Sequence, residues 1–259
     1  MAVSPKSGAK DITSFRLQSF YTKSEYIIHV YIPNKRIPVK GFPIYFVLEG
    51  PTPFDLFNKA VYLQSLKINE DIENAIVIGI CHNEKTMFDD SFYDFTAPAE
   101  KYHYPKEHVK KPINKHGGAE QFHSFIEEEL KPRIEVNFPV DVSKQALVGY
   151  SLGGYYALWN LFTHSDNYQS YLAMNPAIWW NNKELLQYAE KFITQIKDLK
   201  TRLFLSIDKT EKNLIADVKY IFQTLQKRIP VQYHIATDDK LFSTNPASKY
   251  FLMQSLFTN

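Results

Sequence analysis

The sequence predicts an α/β fold in which a mostly parallel sheet is flanked by helices. After residue 40, short apolar segments bounded by turn residues alternate with longer segments of helical periodicity. Two segments, 42–48 and 74–80, are apolar at nearly every position, as expected of parallel strands buried on both faces. A third apolar segment, 145–148, leads directly into the glycine-rich stretch Gly149–Gly154. Together these observations predict a sheet with parallel strands and a sharp turn at the end of one of them.

The individual elements follow from residue type and spacing. Residues 25–32 are rich in β-branched and aromatic side chains and end before Pro33, which indicates a strand. Residues 117–133 carry apolar side chains at helical spacing. The chain from Cys81 to about Lys115 contains prolines 98, 105 and 112 and is predicted to be loop-like. The predicted strands are 13–22, 25–32, 42–48, 74–80, 145–148, 170–174, 202–207 and 231–235, and the predicted helices are 58–68, 117–133, 185–196, 216–227 and 245–257.

Composition and length limit the classes of protein to which the chain can belong. The 259 residues are 44% hydrophobic and contain no repeat, which predicts one domain over 13–259 after a polar tail over 1–12. A net charge of +2 does not indicate a nucleic-acid partner. The single Cys81 excludes an intramolecular disulfide, and no 18-residue apolar run predicts a membrane span. The polar N-terminus lacks a signal-peptide core, so we expect a cytoplasmic protein, with no metal or other cofactor.

The stretch Gly149–Gly154 reads G-x-S-x-G and lies where a strand is predicted to turn into a helix. A serine on so tight a turn is strained, and side chains at the flanking glycine positions would clash. Such a turn exposes the hydroxyl at the edge of the sheet and points the next backbone N–H toward a developing oxyanion. The sequence therefore predicts Ser151 as a nucleophile and the Leu152 N–H as an oxyanion donor.

Several further segments, taken with this turn, carry a family resemblance. They lie in a specific order along residues 15–257: Asp94–Pro98, Gly117–Phe122, Glu128–Pro132, Phe138–Asp141, Gly149–Gly154 and Asn175–Asn182. This arrangement resembles the putative esterase family of α/β-hydrolases, which includes esterase D and the enterochelin (trilactone siderophore) esterases. The resemblance implies an α/β-hydrolase fold and hydrolysis of a small ester or siderophore lactone. The lysine-rich insertion around residues 83–118 is interpreted as a lid over the cleft, with a solvated loop as the alternative.

The remaining catalytic groups are expected at the ends of other strands. The loop after the strand 42–48 is predicted to supply the second oxyanion donor, from Gly50 or Thr52, because Pro51 has no N–H. The triad acid is expected after the strand 202–207, where either Asp208 or Glu211 could fill the role. Trp179 and Trp180 follow the strand after the nucleophile and are predicted to contact substrate.

The triad histidine is missing from its expected place. The family has a histidine after the last strand, and that position falls on Lys240 or Leu241. His234 lies inside the predicted last strand and is interpreted as a sheet residue. Lys240 could act as base only if burial lowered its pKa by about three units. A histidine from the lid segment could also take this role.

Two functions therefore remain open. The first is a serine esterase, weak if no base replaces the histidine, since loss of a triad member removes on the order of 10⁴ to 10⁶ in kcat. The alternative is a catalytically impaired hydrolase fold that binds a ligand or a partner. In either case the expected partner is a small ester or siderophore-like molecule, and the many lysines of the lid suit an anionic one.

Overall fold

The computed structural model describes residues 12–48, 73–109, 111–196 and 199–236. Within them the strands are β1 (Ile12–Gln18), β2 (Glu25–Tyr31), β3 (Phe42–Leu48), β4 (Ile76–His82), β5 (Val140–Tyr150), β6 (Ser170–Met174), β7 (Arg202–Asp208) and β8 (Val231–Ala236). The helices are α1 (Met87–Phe95), α2 (Ala119–Ser124), a π-helical turn (Phe125–Leu130), α3 (Lys131–Asn137), α4 (Leu152–Thr163), a 3₁₀ turn (Trp180–Lys183), α5 (Glu184–Gln195) and α6 (Lys212–Leu225).

The described strands form one sheet in the order β1-β2-β4-β3-β5-β6-β7-β8. β2 pairs antiparallel with β1 and with β4, whereas every other neighbouring pair is parallel. All seven residues of β3 are buried, as the apolar run predicted for a central parallel strand. The mostly parallel sheet is thereby confirmed. β5 lies between β3 and β6, so the ends of these three strands surround the turn after Tyr150.

The helix predicted over 117–133 is confirmed and extends to Asn137 through the π-helical turn. Its predicted apolar face is the buried one, because the side chains of Phe122, Phe125, Ile126 and Leu130 are fully inaccessible. The predicted helices at 58–68 and 245–257 and residues 1–11 of the predicted tail lie outside the described residues. Within the described part of the chain, no helix has the length and apolar character needed to cross a bilayer.

The prediction of a loop from residue 81 to 115 is wrong for its first part, because α1 lies there. The helix is short and contains three aspartates and a serine, which are weak helix formers, so its pattern was not recognised. Its first turn places Asp89 and Asp90 at the positive end of the helix dipole. Phe92 and Phe95, one turn apart, are buried and anchor it to the core.

A group of buried polar side chains joins β2, β4 and α1, and we call it the buried histidine network. The ring of His82 bonds through Nε2 to Asp94 Oδ2 at 2.8 Å and through Nδ1 to Ser91 Oγ at 3.2 Å. The Tyr26 hydroxyl donates to the same Asp94 oxygen at 2.6 Å. The side chains of His82 and Asp94 have no accessible surface. The aspartate that begins the Asp94–Pro98 segment therefore fixes α1 against the sheet.

Candidate active site

Ser151 occupies the turn between β5 and α4 in a strained backbone conformation. Its φ of 54° and ψ of −114° lie in a region that residues with a Cβ rarely adopt. Three backbone hydrogen bonds hold it there: Ser151 N donates to Met174 O, and Ser151 O accepts from Tyr155 N and from Ala177 N, each at 2.9 Å. A Cβ on Gly149 would lie 2.1 Å from the carbonyl oxygen of Gly153, so only glycine fits there. The structure thus has the backbone geometry of a nucleophile elbow.

The oxyanion donors predicted from sequence are only partly visible. Leu152 is the first residue of α4, and the N–H groups of a helix's first turn have no acceptor within the helix. Its N–H directly follows Ser151, the predicted nucleophile, as the elbow geometry requires. Gly50, the second predicted donor, lies outside the described residues.

Ser151 lines an open cleft with a volume of about 490 Å³. We call it the elbow cleft. Its walls come from the segment after α1, the ends of β5 and β6, and the start of α6, and they carry side chains of both charges. The lining residues are Pro105, Glu107, His108, Tyr150, Ser151, Asn175, Pro176, Trp179, Lys183, Thr210, Glu211, Lys212, Asn213, Leu214 and Asp217.

The two candidate acids differ in what their carboxylates do. Asp208 Oδ1 accepts hydrogen bonds from the backbone N and the Oγ1 of Thr210, both at 2.8 Å, and so closes its own turn. Glu211 lines the elbow cleft, is exposed, and makes no side-chain hydrogen bond to a described residue. Of the two candidate acids, Glu211 is therefore the one whose carboxylate is available to the cleft.

Asn175 holds the ends of two strands together beside the elbow, a role that sequence reasoning missed. Its Oδ1 accepts from Asp208 N at 2.7 Å, and its own backbone N donates to Ser206 O at 2.8 Å. Asn175 has a φ of 41°, which asparagine tolerates better than most residues. The asparagine that opens the Asn175–Asn182 segment was a signal for this position, although not for its contacts.

Of the two tryptophans predicted to contact substrate, only Trp179 lines the elbow cleft. Trp180 is fully buried and stacks on Tyr104 with ring centroids 5.1 Å apart. Trp179 instead stacks on His108, at 4.5 Å and with an interplanar angle of 11°. No pattern in the sequence indicates this stack, because 70 residues lie between positions 108 and 179.

The structure brings His108, but no other histidine, to the described lining of the elbow cleft. His234 lies in β8 as predicted, and His82 belongs to the buried histidine network. Lys240 and Leu241, the two positions to which the family resemblance assigns the triad histidine, lie outside the described residues. Among the described residues none bonds to the Ser151 hydroxyl, and no three histidine, cysteine, aspartate or glutamate side chains are placed to hold a metal ion.

The fold and the elbow define the class of protein: an α/β-hydrolase. A family model described as "Putative esterase" matches residues 19–227, and the chain belongs to that family. A crystal structure of the BES protein from Bacillus cereus is 30% identical, with a TM-score of 0.83, over 99% of this chain and 100% of that one. The siderophore hydrolase EstA from Aspergillus nidulans, at 24% identity, has the same fold with a TM-score of 0.79 over 98% of each chain.

Curated relatives match a smaller part of the chain. Ferri-bacillibactin esterase BesA of Bacillus subtilis is 32% identical over 65% of this chain and 60% of its own length. A siderophore enterobactin esterase of Emericella nidulans is 39% identical over 46% of this chain and 41% of its own length. Both alignments thus span less than two thirds of the relative. The names of these relatives give the alternative of a binding protein no support.

Proposed function

We propose that this protein is a serine esterase that hydrolyses carboxylic esters of the siderophore class, with Ser151 as the nucleophile. The observation that carries the proposal is the strained elbow at Ser151, which opens into the elbow cleft. Backbone strain of this kind costs about 1–3 kcal/mol and persists where the surrounding structure enforces it. Here the enforcement comes from β6, whose last residue, Met174, accepts the Ser151 N–H.

The other roles follow from the position of each group. The N–H of Leu152 stabilises the oxyanion, with Gly50 as the second donor. Glu211 is the triad acid in preference to Asp208, because the carboxylate of Asp208 closes its own turn. Trp179 offers an aromatic surface at the wall of the cleft.

The substrate class rests on charge and on the relatives. Lysines 101, 106 and 111 lie on the segment that leads into and out of the cleft wall, and their exposed ammonium groups would attract an anionic ligand. Two of the named relatives are esterases of siderophores. A metal-loaded, anionic siderophore lactone fits both observations.

The test is covalent labelling of Ser151 together with ester turnover. We expect a fluorophosphonate probe to modify Ser151, as located by peptide mass spectrometry, and we expect release of p-nitrophenol from short-chain esters. A ferric trilactone siderophore should yield linear products by liquid chromatography and mass spectrometry. Ser151→Ala should abolish all three signals, whereas Ser165→Ala, outside the cleft, should leave them intact. Tight binding of the intact lactone without turnover would instead assign a ligand-binding role.

A further inference from the structure

We propose that His108 accepts the proton of the Ser151 hydroxyl and so replaces the histidine absent at Lys240 and Leu241. The inference rests on the proposed esterase function and adds a residue to it. A serine hydroxyl is protonated at neutral pH and needs an adjacent base to attack an ester. The elbow cleft contains one histidine among its described lining residues, and that residue is His108.

The other histidines are engaged elsewhere or point away from the cleft. All eight histidines of the sequence lie in the described part of the chain. His123 and His164 stack on each other with ring centroids 3.8 Å apart, and His116 packs at a tilt against Tyr102 with centroids 3.7 Å apart. The ring of His29 bonds to Ser14 Oγ at 2.7 Å. None of the remaining three, His82, His103 and His234, lines the elbow cleft.

Two features fix the position of the His108 ring. Its face lies against Trp179, which leaves the ring edge, where both nitrogens are, away from the tryptophan. Its backbone N donates to Pro105 O at 3.1 Å in a turn, and the next residue, Val109, is buried and anchors that turn. Stacking of an imidazole on an indole restricts rotation of the imidazole without using its nitrogens.

Backbone hydrogen bonds connect the turn that carries Trp179, and therefore the His108 ring stacked on it, to Ser151. Ala177 N donates to Ser151 O at 2.9 Å, and Trp180 N donates to Ala177 O at 3.1 Å. The turn that presents Trp179 is therefore held on the backbone of Ser151 itself. Neither the Ser151 hydroxyl nor the His108 ring bonds to a described side chain, so both are available to each other. Catalytic hydrogen bonds often form fully only when substrate is bound.

The proposed step balances as a general-base acylation. The Ser151 Oγ proton moves to a ring nitrogen of His108 while Oγ forms a bond to the ester carbonyl carbon, and the carbonyl π electrons move onto oxygen. Collapse of this intermediate breaks the bond to the alcohol, which leaves with the proton from His108. Water then repeats the sequence on the acyl-enzyme, releasing the acid and restoring Ser151.

The charged side chains that line the elbow cleft together with His108 are of both signs. Three carboxylates and two ammonium groups line the cleft, and Lys183 Nζ is bonded to Asp217 Oδ1 at 2.9 Å. That pair is neutral overall. The charged lining residues are Glu107, Lys183, Glu211, Lys212 and Asp217.

The experiment compares His108→Gln with Ser151→Ala and with His164→Gln, a histidine outside the cleft. We expect His108→Gln to lower the second-order rate of fluorophosphonate labelling and the turnover of p-nitrophenyl ester by 10²- to 10⁴-fold. His164→Gln should match the parent protein. The parent rate should have an inflection in the pH range where histidines change charge, between about 5 and 8, and His108→Gln should lose it. Added imidazole should restore activity to His108→Ala.

Each of the other possible results of this experiment would contradict one specific proposal. If Ser151→Ala is inactive and His108→Gln is not impaired, the esterase proposal stands and the His108 proposal fails. If Lys240→Met is the variant that loses activity, the base is Lys240. A loss in His108→Gln that retains the pH inflection, with no rescue of His108→Ala by imidazole, would show a structural role only. If the parent protein neither labels nor turns over ester, both proposals fail.

Discussion

The elbow cleft and the buried histidine network contain the same kinds of side chain in opposite settings. In the network, Ser91, His82 and Asp94 form a hydrogen-bonded chain of serine, histidine and aspartate, and the histidine and aspartate side chains have no accessible surface. In the cleft, Ser151 lines the wall and has a strained backbone, and no described residue bonds to its hydroxyl. The comparison shows that a chain of triad residue types does not make a site. Access and an oxyanion donor are also required.

The network is suited to stability because its groups are shielded. Burial raises the pKa of the Asp94 carboxyl, and the hydrogen bond from His82 opposes that effect. Asp94 Oδ1 has no hydrogen-bond partner among the described residues. A carboxyl group in this position depends on its few partners, and loss of one is costly. The Ser151 side chain, by contrast, lines the elbow cleft and is not fully buried.

The largest effect should separate the two regions by stability. Replacing His82 with alanine leaves the Asp94 carboxyl buried without its ring partner, and we expect a loss of about 3–5 kcal/mol in the free energy of unfolding. Ser151→Ala should change that free energy by less than about 0.5 kcal/mol. Urea unfolding followed by tryptophan fluorescence measures both.

Labelling activity should rank His82→Ala and Ser151→Ala in the opposite order from unfolding free energy. His82→Ala should retain fluorophosphonate labelling per folded molecule, whereas Ser151→Ala should lose it. If His82→Ala does not fold, His82→Asn, which keeps a donor for Asp94, provides the same comparison with a smaller loss. Loss of labelling in fully folded His82→Asn would show that the network takes part in the chemistry.

The second effect tests whether the elbow is enforced by its glycines. A Cβ on Gly149 would meet the carbonyl oxygen of Gly153 at 2.1 Å, whereas a Cβ on Gly153 would meet Leu48 Cβ at 3.2 Å. We expect Gly149→Ala to cost about 2–3 kcal/mol in unfolding free energy and to abolish labelling of Ser151. Gly153→Ala should cost less than half of that and keep some labelling. Equal behaviour of the two variants would contradict the geometry.

The sequence predicted the features that depend on local pattern. The runs at β3 and β4, the apolar face through Phe122 and the G-x-S-x-G turn are read from residue type and spacing, so their elements were predicted. α1 was missed, because tertiary burial of Phe92 and Phe95 stabilises a helix of weak helix formers. The family resemblance placed Asp94 in a motif, but only the structure shows that it bonds to His82.

Contacts between distant segments were beyond prediction for the same reason. The stack of His108 on Trp179 and the bond from Asp208 N to Asn175 join strands and loops whose approach is set by the whole sheet. Such contacts produce no periodic pattern of residue types in the sequence. A single sequence therefore predicted the nucleophile, left two acids open and did not single out His108 from the histidines of its segment.

A third, smaller effect concerns the partly buried ring of His123, which has no carboxylate partner among the described residues. Burial is the largest cause that lowers the pKa of His123 to about 4, and the charges of His164 and Lys131 add to it. Asn160 Nδ2 lies 3.2 Å from His123 Nδ1, a contact that fits a neutral ring. His82, by contrast, has Asp94. His123 therefore tests how much free energy of unfolding is lost when a partly buried imidazole is protonated without a neighbouring carboxylate.

The sign of the pH dependence follows from that depressed pKa. A ring that titrates near 6.5 when unfolded and near 4 when folded contributes stability above pH 6.5, and this contribution is lost as the pH falls through 4. Because the ring is partly exposed to solvent, we expect about 1–2 kcal/mol rather than the full shift. His123→Gln should remove this dependence. Unfolding free energies at pH 7, 5.5 and 4 measure the difference between variant and parent, and parallel curves would contradict the assignment.

The smallest effect is expected at the serine of the buried histidine network. Ser91 Oγ lies 3.2 Å from His82 Nδ1, a longer contact than the 2.8 Å bond between His82 Nε2 and Asp94. Ser91→Ala should cost about 1 kcal/mol in unfolding free energy, the usual worth of one neutral hydrogen bond. It should leave fluorophosphonate labelling unchanged, because Ser91 is fully buried and the probe cannot reach it. Peptide mass spectrometry of the labelled parent protein compares the two serines directly. Modification of Ser91 would mean that the network opens to solvent. Modification of Ser151 alone would place the reactive serine in the elbow cleft.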